Sequence, residues 1–360
     1  MPRARDLGLH IGTLPTGPTN SVLDVAGVGV GHTTVHRDEP APPQGRGIAR
    51  TGVTTVVLAE DAYHRRLPAG GAVLNGAGDC TGFLTADEWG SAETPVYLTS
   101  TMQLGRVYDA ACEIELEEHA EVADDVVIPI VGECDDSHLN DCRRMQVTAD
   151  DVRAARLAAL ASRGSGVPPG EGAVGAGTGM SCLGFKGGIG TSSRVTAEGH
   201  TVGVLLLTNF GVRDQLVVAG VPVGTLLADR GTPSGPPKPS GSCLGIVVTD
   251  APVDGASCAR LARRIGLGLA RVGSVAHHGS GEIFLGFGTG VRLDRGGRPD
   301  RTPVVSGSAL DPLFGAVVEA AEEAVLNSMF TAPTTVGRDG NTSESLHSPG
   351  VLALLEGVRG

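Results

Sequence analysis

The chain has 360 residues, with 28 Lys and Arg against 40 Asp and Glu, so its formal net charge is −12. This length predicts about two domains, or one large sandwich or barrel. An apolar content of 41% and a mean hydropathy of +0.08 are typical of a globular chain rather than a disordered one. The acidic balance and the presence of only two lysines exclude nucleic acid and an anionic membrane surface as main partners, because phosphate groups are bound by clustered basic residues.

The start of the chain and its cysteines predict where the protein resides. Basic residues occur within the first ten positions, but no apolar segment follows them, so we expect no secretory signal. No apolar run approaches the ~18 residues of a membrane span. The seven cysteines are odd in number and contain no Cys-x-x-Cys pair, which predicts free thiols in a reducing compartment. We therefore expect a cytoplasmic protein.

The pattern of apolar residues predicts strands and helices in a mixed order. Short segments dense in β-branched residues predict strands at Val22–Val25, Val28–Val30, Val53–Leu58, Val126–Val131, Val202–Leu207, Leu244–Thr249 and Glu282–Phe287. Amphipathic or Ala- and Leu-rich segments predict helices at Gly105–Val122, Asp150–Ala161, Cys258–Leu269 and Asp311–Phe330. We expect Asp150 or Asp151 to cap the second helix and Asp311 to cap the last one. Clustered strands followed by helices in pairs indicate layered α/β packing.

A segment rich in proline precedes the strand predicted at Leu244–Thr249. Asp229–Ser240 contains four prolines and two glycines in twelve residues, which predicts a linker. Gly241 and Ser242 join this linker directly to the strand. A serine at such a junction is suited to self-cleavage, in which its hydroxyl attacks the preceding carbonyl and water then hydrolyses the ester. Glycine before it fits this chemistry because glycine adopts backbone geometries that other residues avoid. An exposed interdomain loop is the alternative interpretation.

Cleavage at this junction would create an unusual catalytic residue. Ser242 would carry both a hydroxyl and a free α-amine, whose ordinary pKa of ~7.7–8.0 lies near neutral pH. A base with such a pKa is efficient in proton transfer, so one residue would supply both nucleophile and base.

Several motifs follow one another in order along nearly the whole chain: Gly17–His32, Asn75–Gly78 with Thr81 and Gly82, Thr94–Thr101, Gly175–Met180, Phe185–Ser193, Gly241–Ser242 with Thr249–Pro252, Gly279–Glu282 and Gly337–Gly340. Together they resemble the DmpA/BapA family of self-processing aminopeptidases, which includes L-aminopeptidase/D-esterases and β-peptidyl aminopeptidases. The resemblance implies an α/β fold, a four-layer αββα sandwich of the N-terminal-nucleophile hydrolase type. It also implies one domain over residues 1–360, cut into fragments 1–241 and 242–360, that needs no cofactor and forms a homotetramer.

The resemblance also assigns roles to single residues. Ser242 matches the nucleophile that cleavage creates, and Asn209 matches the amide of the oxyanion hole. Ser280 and Glu282 match a hydroxyl and a carboxylate that orient the nucleophile and tune its amine, and a spacing of two places both on one face of a strand. Glu133 matches a carboxylate that binds the free amine of the substrate. The implied function is hydrolysis of N-terminal residues from small peptides, amides or esters through an acyl-enzyme.

The chain departs from the family pattern beside Glu133. Asp135 and Asp136, followed by His138, stand where aromatic or apolar residues commonly line the pocket, so we expect a preference for basic or strongly amine-bearing substrates. Cys243 replaces a more usual aliphatic residue, and we expect it to be a small buried side chain.

Other interpretations were considered. A self-processing acyltransferase of the ornithine-acetyltransferase kind has a similar fold, although it carries Thr at the junction. An uncleaved, inactive homologue that serves as a binding module is the alternative from another class. The glycines of Gly175–Gly179 lack a preceding strand and so do not form a dinucleotide fingerprint. His277 and His278 lack the spacing of a zinc site.

Overall fold

The computed structural model describes residues 1–230, 240–296 and 302–358. The strands are β1 Gly29–Arg37, β2 Ala49–Val57, β3 Arg65–Gly76, β4 Ser91–Ala92, β5 Val96–Ser100, β6 Ile130–Cys134, β7 Ser181–Cys182, β8 Phe185–Lys186, β9 Gly188–Val195, β10 Thr201–Asn209, β11 Ser240–Thr249, β12 Gly279–Gly288, β13 Leu293–Asp294, β14 Thr335–Val336 and β15 Thr342–Ser343. The helices are α1 Phe83–Glu88, α2 Leu104–Glu118, α3 Ala149–Ser162, α4 Val223–Asp229, α5 Gly255–Arg271, α6 Asp311–Phe330 and α7 Pro349–Leu354.

Two sheets form the centre of the fold. The first has the strand order β1-β2-β5-β6, and the second has the order β13-β3-β12-β11-β10-β9, with β4 paired to β3. Helices α2 and α3 pack on the outer face of the first sheet, and α5 and α6 pack on the outer face of the second. The four layers are therefore helix, sheet, sheet and helix, which confirms the predicted αββα sandwich.

The central strands of the second sheet are apolar on both faces because each face is covered. On β10, Val202, Val204 and Leu206 pack toward α5 and α6, whereas Leu205 and Leu207 pack toward the first sheet. The same alternation continues along its neighbours β11 and β12, whose residues in the core between the sheets are Leu244, Ile246, Val248, Ile283, Leu285 and Phe287. Continuous apolar segments are typical of strands buried on both sides.

The strands predicted at Val202–Leu207, Leu244–Thr249 and Glu282–Phe287 lie entirely within β10, β11 and β12. All four predicted helices are present, as α2, α3, α5 and α6, within a few residues of the expected bounds. Of the predicted linker, residues 231–239 lie outside the described residues. Among the described residues, no helix is both long and apolar enough to cross a membrane.

Several local predictions are wrong. Val22–Val25 is not a strand, because the side chains of Ser21 and Asp24 satisfy the backbone amides of a short 3-10 turn there. The strand predicted at Val126–Val131 begins only at Ile130, after Pro129.

The helix caps also differ from the prediction. Helix α3 is capped by the side chain of Thr148, and Asp151 completes the capping box from within the first turn. Helix α6 begins at Asp311 itself, preceded by Leu310 without a side-chain cap.

Strands β3 and β9 were not predicted, because glycine replaces the large side chains where helices cross them closely. A Cβ on Gly70 of β3 would lie 2.5 Å from the carbonyl oxygen of Gly255 in α5. A Cβ on Gly190 of β9 would lie 1.9 Å from the carbonyl oxygen of Ala324 in α6. Both distances are shorter than any van der Waals contact, so these glycines are required for the helices to pack on the sheet.

This packing predicts opposite effects for two glycine-to-alanine changes. Gly190→Ala should lower the free energy of unfolding by about 1–3 kcal/mol or more, because α6 must move away from β9. Gly315→Ala, on the exposed face of α6 with no atom within 4 Å of the new Cβ, should raise it by about 1 kcal/mol. Urea unfolding of both variants checks the prediction, and equal midpoints would contradict the close packing of α6 on β9.

Candidate active site

The candidate site lies where β10, β11 and β12 run side by side. Ser242 is the third residue of β11, and it is 3% exposed. In the strand pairing, Asn209 at the end of β10 lies opposite Ser242 on one side, and Gly281 of β12 lies opposite it on the other. The Asn209 amide nitrogen Nδ2 lies 3.5 Å from the Ser242 hydroxyl oxygen. The structure thus brings the predicted nucleophile and the predicted oxyanion donor together.

Two backbone groups determine which end of the Asn209 amide faces Ser242. The amide N–H of Ser181 donates to Oδ1 at 3.0 Å, so this end must be the oxygen. Nδ2 donates to the carbonyl oxygen of Asp135 at 2.8 Å, so that end must be the nitrogen. The NH₂ group therefore points toward the hydroxyl of Ser242. No sequence signal identified Ser181 and Asp135 for this role, because they act through backbone atoms.

Ser280 and Glu282 lie together on the other face of the second sheet. The Ser280 hydroxyl donates a hydrogen bond to Glu282 Oε1, so the prediction that a spacing of two places both on one face is confirmed. Alternation along β11 and β12 places this pair on the helix side and the Ser242 side chain between the sheets. Burial raises the pKa of the Glu282 carboxyl, and the hydrogen bond from Ser280 opposes this rise.

Gly241 precedes Ser242 on β11. A glycine is needed here, but not for the unusual backbone geometry that we predicted. Its φ angle is not in the positive region, so unusual backbone geometry does not explain it. A Cβ at this position would lie 2.9 Å from the carbonyl oxygen of Asn209 and 3.1 Å from the Ser280 hydroxyl oxygen. Glycine is therefore required by lateral crowding, and Ser280 packs directly against the Gly241 side of the Gly241–Ser242 bond.

Glu133 lies on β6, at the edge of the first sheet, next to residues 78 and 79, which follow β3. It is 4% exposed, and Oε1 accepts a hydrogen bond from the Asp79 amide N–H at 2.9 Å, while Oε2 accepts one from the Thr101 hydroxyl. Burial raises the pKa of the Glu133 carboxyl, and the nearby charges of Asp135 and Asp79 raise it further, against these hydrogen bonds. Both oxygens have neutral donors, so a cation that enters the site would relieve the cost of burying the carboxylate.

Two glycines bring the segment that contacts Glu133 against the strand beside Ser242. A Cβ on Gly78 would lie 3.2 Å from Glu133 Oε1 and 3.6 Å from the Cα of Gly281. Gly281 is itself the pairing partner of Ser242. A Cβ on Gly281 would lie 3.0 Å from the Cα of Gly78, so the two backbones pack directly on each other and connect the surroundings of Glu133 with the strand beside Ser242.

The acidic residues after Glu133 do not form one group. Asp136 is 1% exposed, and its Oδ1 accepts hydrogen bonds from Asn140 Nδ2 at 3.1 Å and from the Cys142 thiol at 3.5 Å. Asp136 therefore holds a turn together, and the preference for basic substrates stays a prediction. Asp135 remains half-buried beside Asn209.

Two cysteines line the site. Cys243 is fully buried, as predicted. Cys134, the last residue of β6, is also fully buried, and its thiol contacts the Ser242 hydroxyl and lies 3.7 Å from the carbonyl oxygen of Leu207. Burial raises the pKa of the Cys134 thiol well above its ordinary value, so this thiol is neutral. No sequence pattern places Cys134 beside the nucleophile, because the contact joins strands of different sheets.

The histidines considered for metal binding have other contacts. His277 Nε2 lies 3.1 Å from Gln215 Oε1, within hydrogen-bond distance. The residues that the structure describes contain no group of three or more His, Cys, Asp or Glu arranged to hold a metal ion.

The burial of Asp136 predicts a pH dependence of stability. Burial raises the pKa of its carboxyl from 3.8 to about 6, so between these values unfolding releases a proton and stability falls as the pH rises. Asp136→Asn lacks this ionisation, so wild type should lose about 2–3 kcal/mol relative to the variant between pH 4 and pH 7. Urea unfolding at intermediate pH values measures the difference, and a difference that stays constant with pH would contradict the burial of this carboxyl.

Comparison with known proteins identifies the family. Residues 20–343 match the sequence profile of Peptidase family S58. The chain is 38% identical to the beta-peptidyl aminopeptidase BapA of Sphingosinicella xenopeptidilytica over 353 residues, which cover 93% of this chain and 86% of the relative.

Solved structures are similar over the whole chain. A beta-aminopeptidase of a Burkholderia species superposes with a TM-score of 0.87 at 38% identity, with 99% of each chain covered. The L-aminopeptidase D-Ala-esterase/amidase of Ochrobactrum anthropi, described as a prototype for the serine aminopeptidases and a variant of the Ntn hydrolase fold, gives a TM-score of 0.90 at 34% identity with both chains covered in full. The chain therefore belongs to Peptidase family S58 and is a peptide hydrolase of the aminopeptidase type.

Proposed function

We propose that this aminopeptidase cuts its own chain between Gly241 and Ser242 and then uses Ser242 as an N-terminal nucleophile. The observation that carries the proposal is the position of Ser242 within β11. Its hydroxyl faces the Asn209 amide between the sheets, while the bond before it packs against Ser280 on the helix side. The Ser242 hydroxyl thus lies next to an amide donor and directly after a bond that adjoins a hydroxyl–carboxylate pair.

The cleavage step uses groups that already adjoin this bond. The Ser242 hydroxyl oxygen attacks the carbonyl carbon of Gly241, and the C–N bond then breaks, so that the acyl group moves from nitrogen to oxygen. Water hydrolyses the resulting ester. The products are a carboxylate at Gly241 and, on Ser242, a hydroxyl and a free α-amine. The two fragments stay associated because β11 of the second fragment pairs with β10 of the first.

Turnover of a substrate follows the same chemistry with an external carbonyl. The α-amine of Ser242 accepts the hydroxyl proton while Oγ attacks the substrate, and the amine returns the proton to the leaving group. The NH₂ group of Asn209 stabilises the negative oxygen of the tetrahedral intermediate, a contribution typically worth about 10²–10³ in rate. Water then releases the acyl group from Ser242.

Ser280 and Glu282 act on the amine side of the nucleophile. Because Ser280 adjoins Gly241, its hydroxyl lies next to the position where cleavage releases the α-amine. The Ser280 hydroxyl, in turn held by Glu282, would orient this amine. This arrangement gives the two faces of β11 separate tasks, with the oxyanion donor on one and the groups that orient the base on the other.

Glu133 explains why the substrate would carry a free amine. The Glu133 carboxylate is buried and its oxygens accept hydrogen bonds from neutral donors, so an ammonium group that reaches it would gain a charge-assisted hydrogen bond. The proposed substrates are therefore small peptides, amides or esters whose N-terminal amine is free.

Self-cleavage predicts two fragments. The purified protein should separate under denaturing conditions into chains of 241 and 119 residues, and the smaller should begin Ser-Cys-Leu-Gly. Ser242→Ala removes the attacking oxygen and should leave one inactive chain of full length. Intact-mass spectrometry measures both results.

Ser240→Ala is the matched control, because it changes a serine two residues earlier in the same strand and should leave cleavage intact. Efficient cleavage of Ser242→Ala would refute the proposed nucleophile. A wild-type chain that stays uncut and inactive would favour the interpretation as a binding module.

The amine-binding role of Glu133 predicts a selective loss of activity. Glu133→Gln retains the oxygen that accepts hydrogen bonds but removes the charge. The kcat/KM for a substrate with a free N-terminal amine should fall about 10- to 100-fold, the value of one charge-assisted hydrogen bond. The kcat/KM for the N-acetylated form of the same substrate should change little.

The comparison uses only protein that mass spectrometry shows to be cleaved. Glu115→Gln is the matched control, since Glu115 is a buried carboxylate on α2 in the outer helix layer. It should leave the ratio between the two substrates unchanged. An equal loss on both substrates in Glu133→Gln would remove Glu133 from the role of amine anchor.

A further inference from the structure

Lys186 on β8 is a fully buried ammonium group near the candidate site. Its Nζ donates hydrogen bonds to three carbonyl oxygens, those of Gly177 at 3.0 Å, Met180 at 2.7 Å and Gly187 at 2.7 Å. Burying an ammonium group is costly unless its hydrogen bonds are made. The proposed roles of the site residues make no use of this cation, so its position calls for an explanation.

The choice of lysine fits this geometry. The sequence contains only two lysines among its 28 basic residues, and the rest are arginine. An ammonium group has three donors on a compact centre, which suits three carbonyl oxygens that converge from different directions. A guanidinium is planar and suits paired acceptors such as a carboxylate. The buried Arg194 illustrates this second case, because it pairs with Glu319 and Glu323.

The three carbonyl groups surround Ser181, whose amide N–H holds the Asn209 side chain. Met180 immediately precedes Ser181 in the chain, and Lys186 pairs directly with Ser181 across the β7–β8 hairpin. The Ser181 N–H donates to Asn209 Oδ1 at 3.0 Å. Contacts therefore run without interruption from the ammonium group to the backbone around Ser181, and from there to the amide that faces Ser242.

The orientation of the Asn209 amide is the property that this backbone controls. The two ends of the amide have nearly the same shape, so packing alone does not distinguish them. A flipped amide would present its carbonyl oxygen to Ser242 and would repel the negative oxygen of the intermediate. The Ser181 N–H opposes the flip while it stays within hydrogen-bond distance of Oδ1, and it shares this task with the Asp135 carbonyl oxygen, which accepts from Nδ2.

We propose that Lys186 is a positioning residue for the Asn209 amide, acting through the backbone of Met180 and Ser181. This inference rests on the proposed function, in which Asn209 stabilises the oxyanion. Loss of the ammonium group would remove the shared donor that draws the three carbonyl oxygens together, leaving Gly177 and Met180 with one backbone donor each, and the turn would relax. The effect would appear in the transition state, and substrate binding at Glu133 would be spared.

The test compares Lys186→Met, which has no donor, with Lys186→Gln, which keeps an amide NH₂. Rates are expressed per cleaved site, counted by mass spectrometry. We expect kcat to fall in the order Lys, Gln, Met, by about tenfold or more for Met, with KM within about twofold of wild type. Arg194→Met is the matched control, because it removes another fully buried cation from the adjacent strand β9 and should leave kcat per cleaved site unchanged.

A double-mutant cycle with Asn209→Ala separates positioning from a general structural effect. Once the amide is absent, Lys186→Gln should lower kcat by less than about twofold, because the two changes act through one group. An equal fall in kcat with and without the Asn209 amide would overturn the inference while leaving the proposed function intact. A rise in KM in place of a fall in kcat would do the same. A wild-type protein that is neither cleaved nor active would instead refute the proposed function.

Discussion

The pairing of β10, β11 and β12 is the constraint on which the site depends. This register sets Ser242 between Asn209 and Gly281, so a shift of one residue would turn the hydroxyl away from the first sheet. The register is fixed by the apolar residues of all three strands, which are buried on both faces and cannot exchange faces without losing the core. The apolar packing in the central part of each strand thus positions the polar site residues at the strand ends.

A strand that is buried on both faces also separates two kinds of catalytic group. The donor amide of Asn209 and the carboxylate of Glu133 lie on the side of the first sheet, whereas Ser280 and Glu282 lie toward the helices. In the uncut chain the peptide bond before Ser242 stands between them. Cleavage at this bond would therefore join the two groups into one site, which explains why a nucleophile would be buried inside a strand before it is released.

The sequence predicts the fold and the site to different extents, for physical reasons. Strands β10 to β12 were predictable because continuous apolar segments are characteristic of doubly covered strands. Strand β3 was not, because Gly70 replaces a large side chain where α5 crosses it. The side-chain pair of Ser280 and Glu282 follows from strand periodicity, and the chain's resemblance to its family supplied the rest of the residue set.

Contacts between segments that are distant in the chain could not be predicted from the sequence. The backbone N–H of Ser181, which orients the Asn209 amide, carries no residue-type signal at all. The burial of Asp136 depends on Thr51 and Gly179, which adjoin its side chain from distant parts of the chain. Both depend on atoms that only folding brings together, so no motif would have identified them.

The central claim is that Ser242, as a new chain terminus, forms the covalent bond to substrate. Intact-mass spectrometry of protein quenched in acid during turnover of an ester substrate tests it most directly. The account predicts that the fragment beginning at Ser242 gains the mass of the acyl group, and that peptide mapping places this mass on residue 242. An acyl group on any other residue, or on the fragment ending at Gly241, would contradict it.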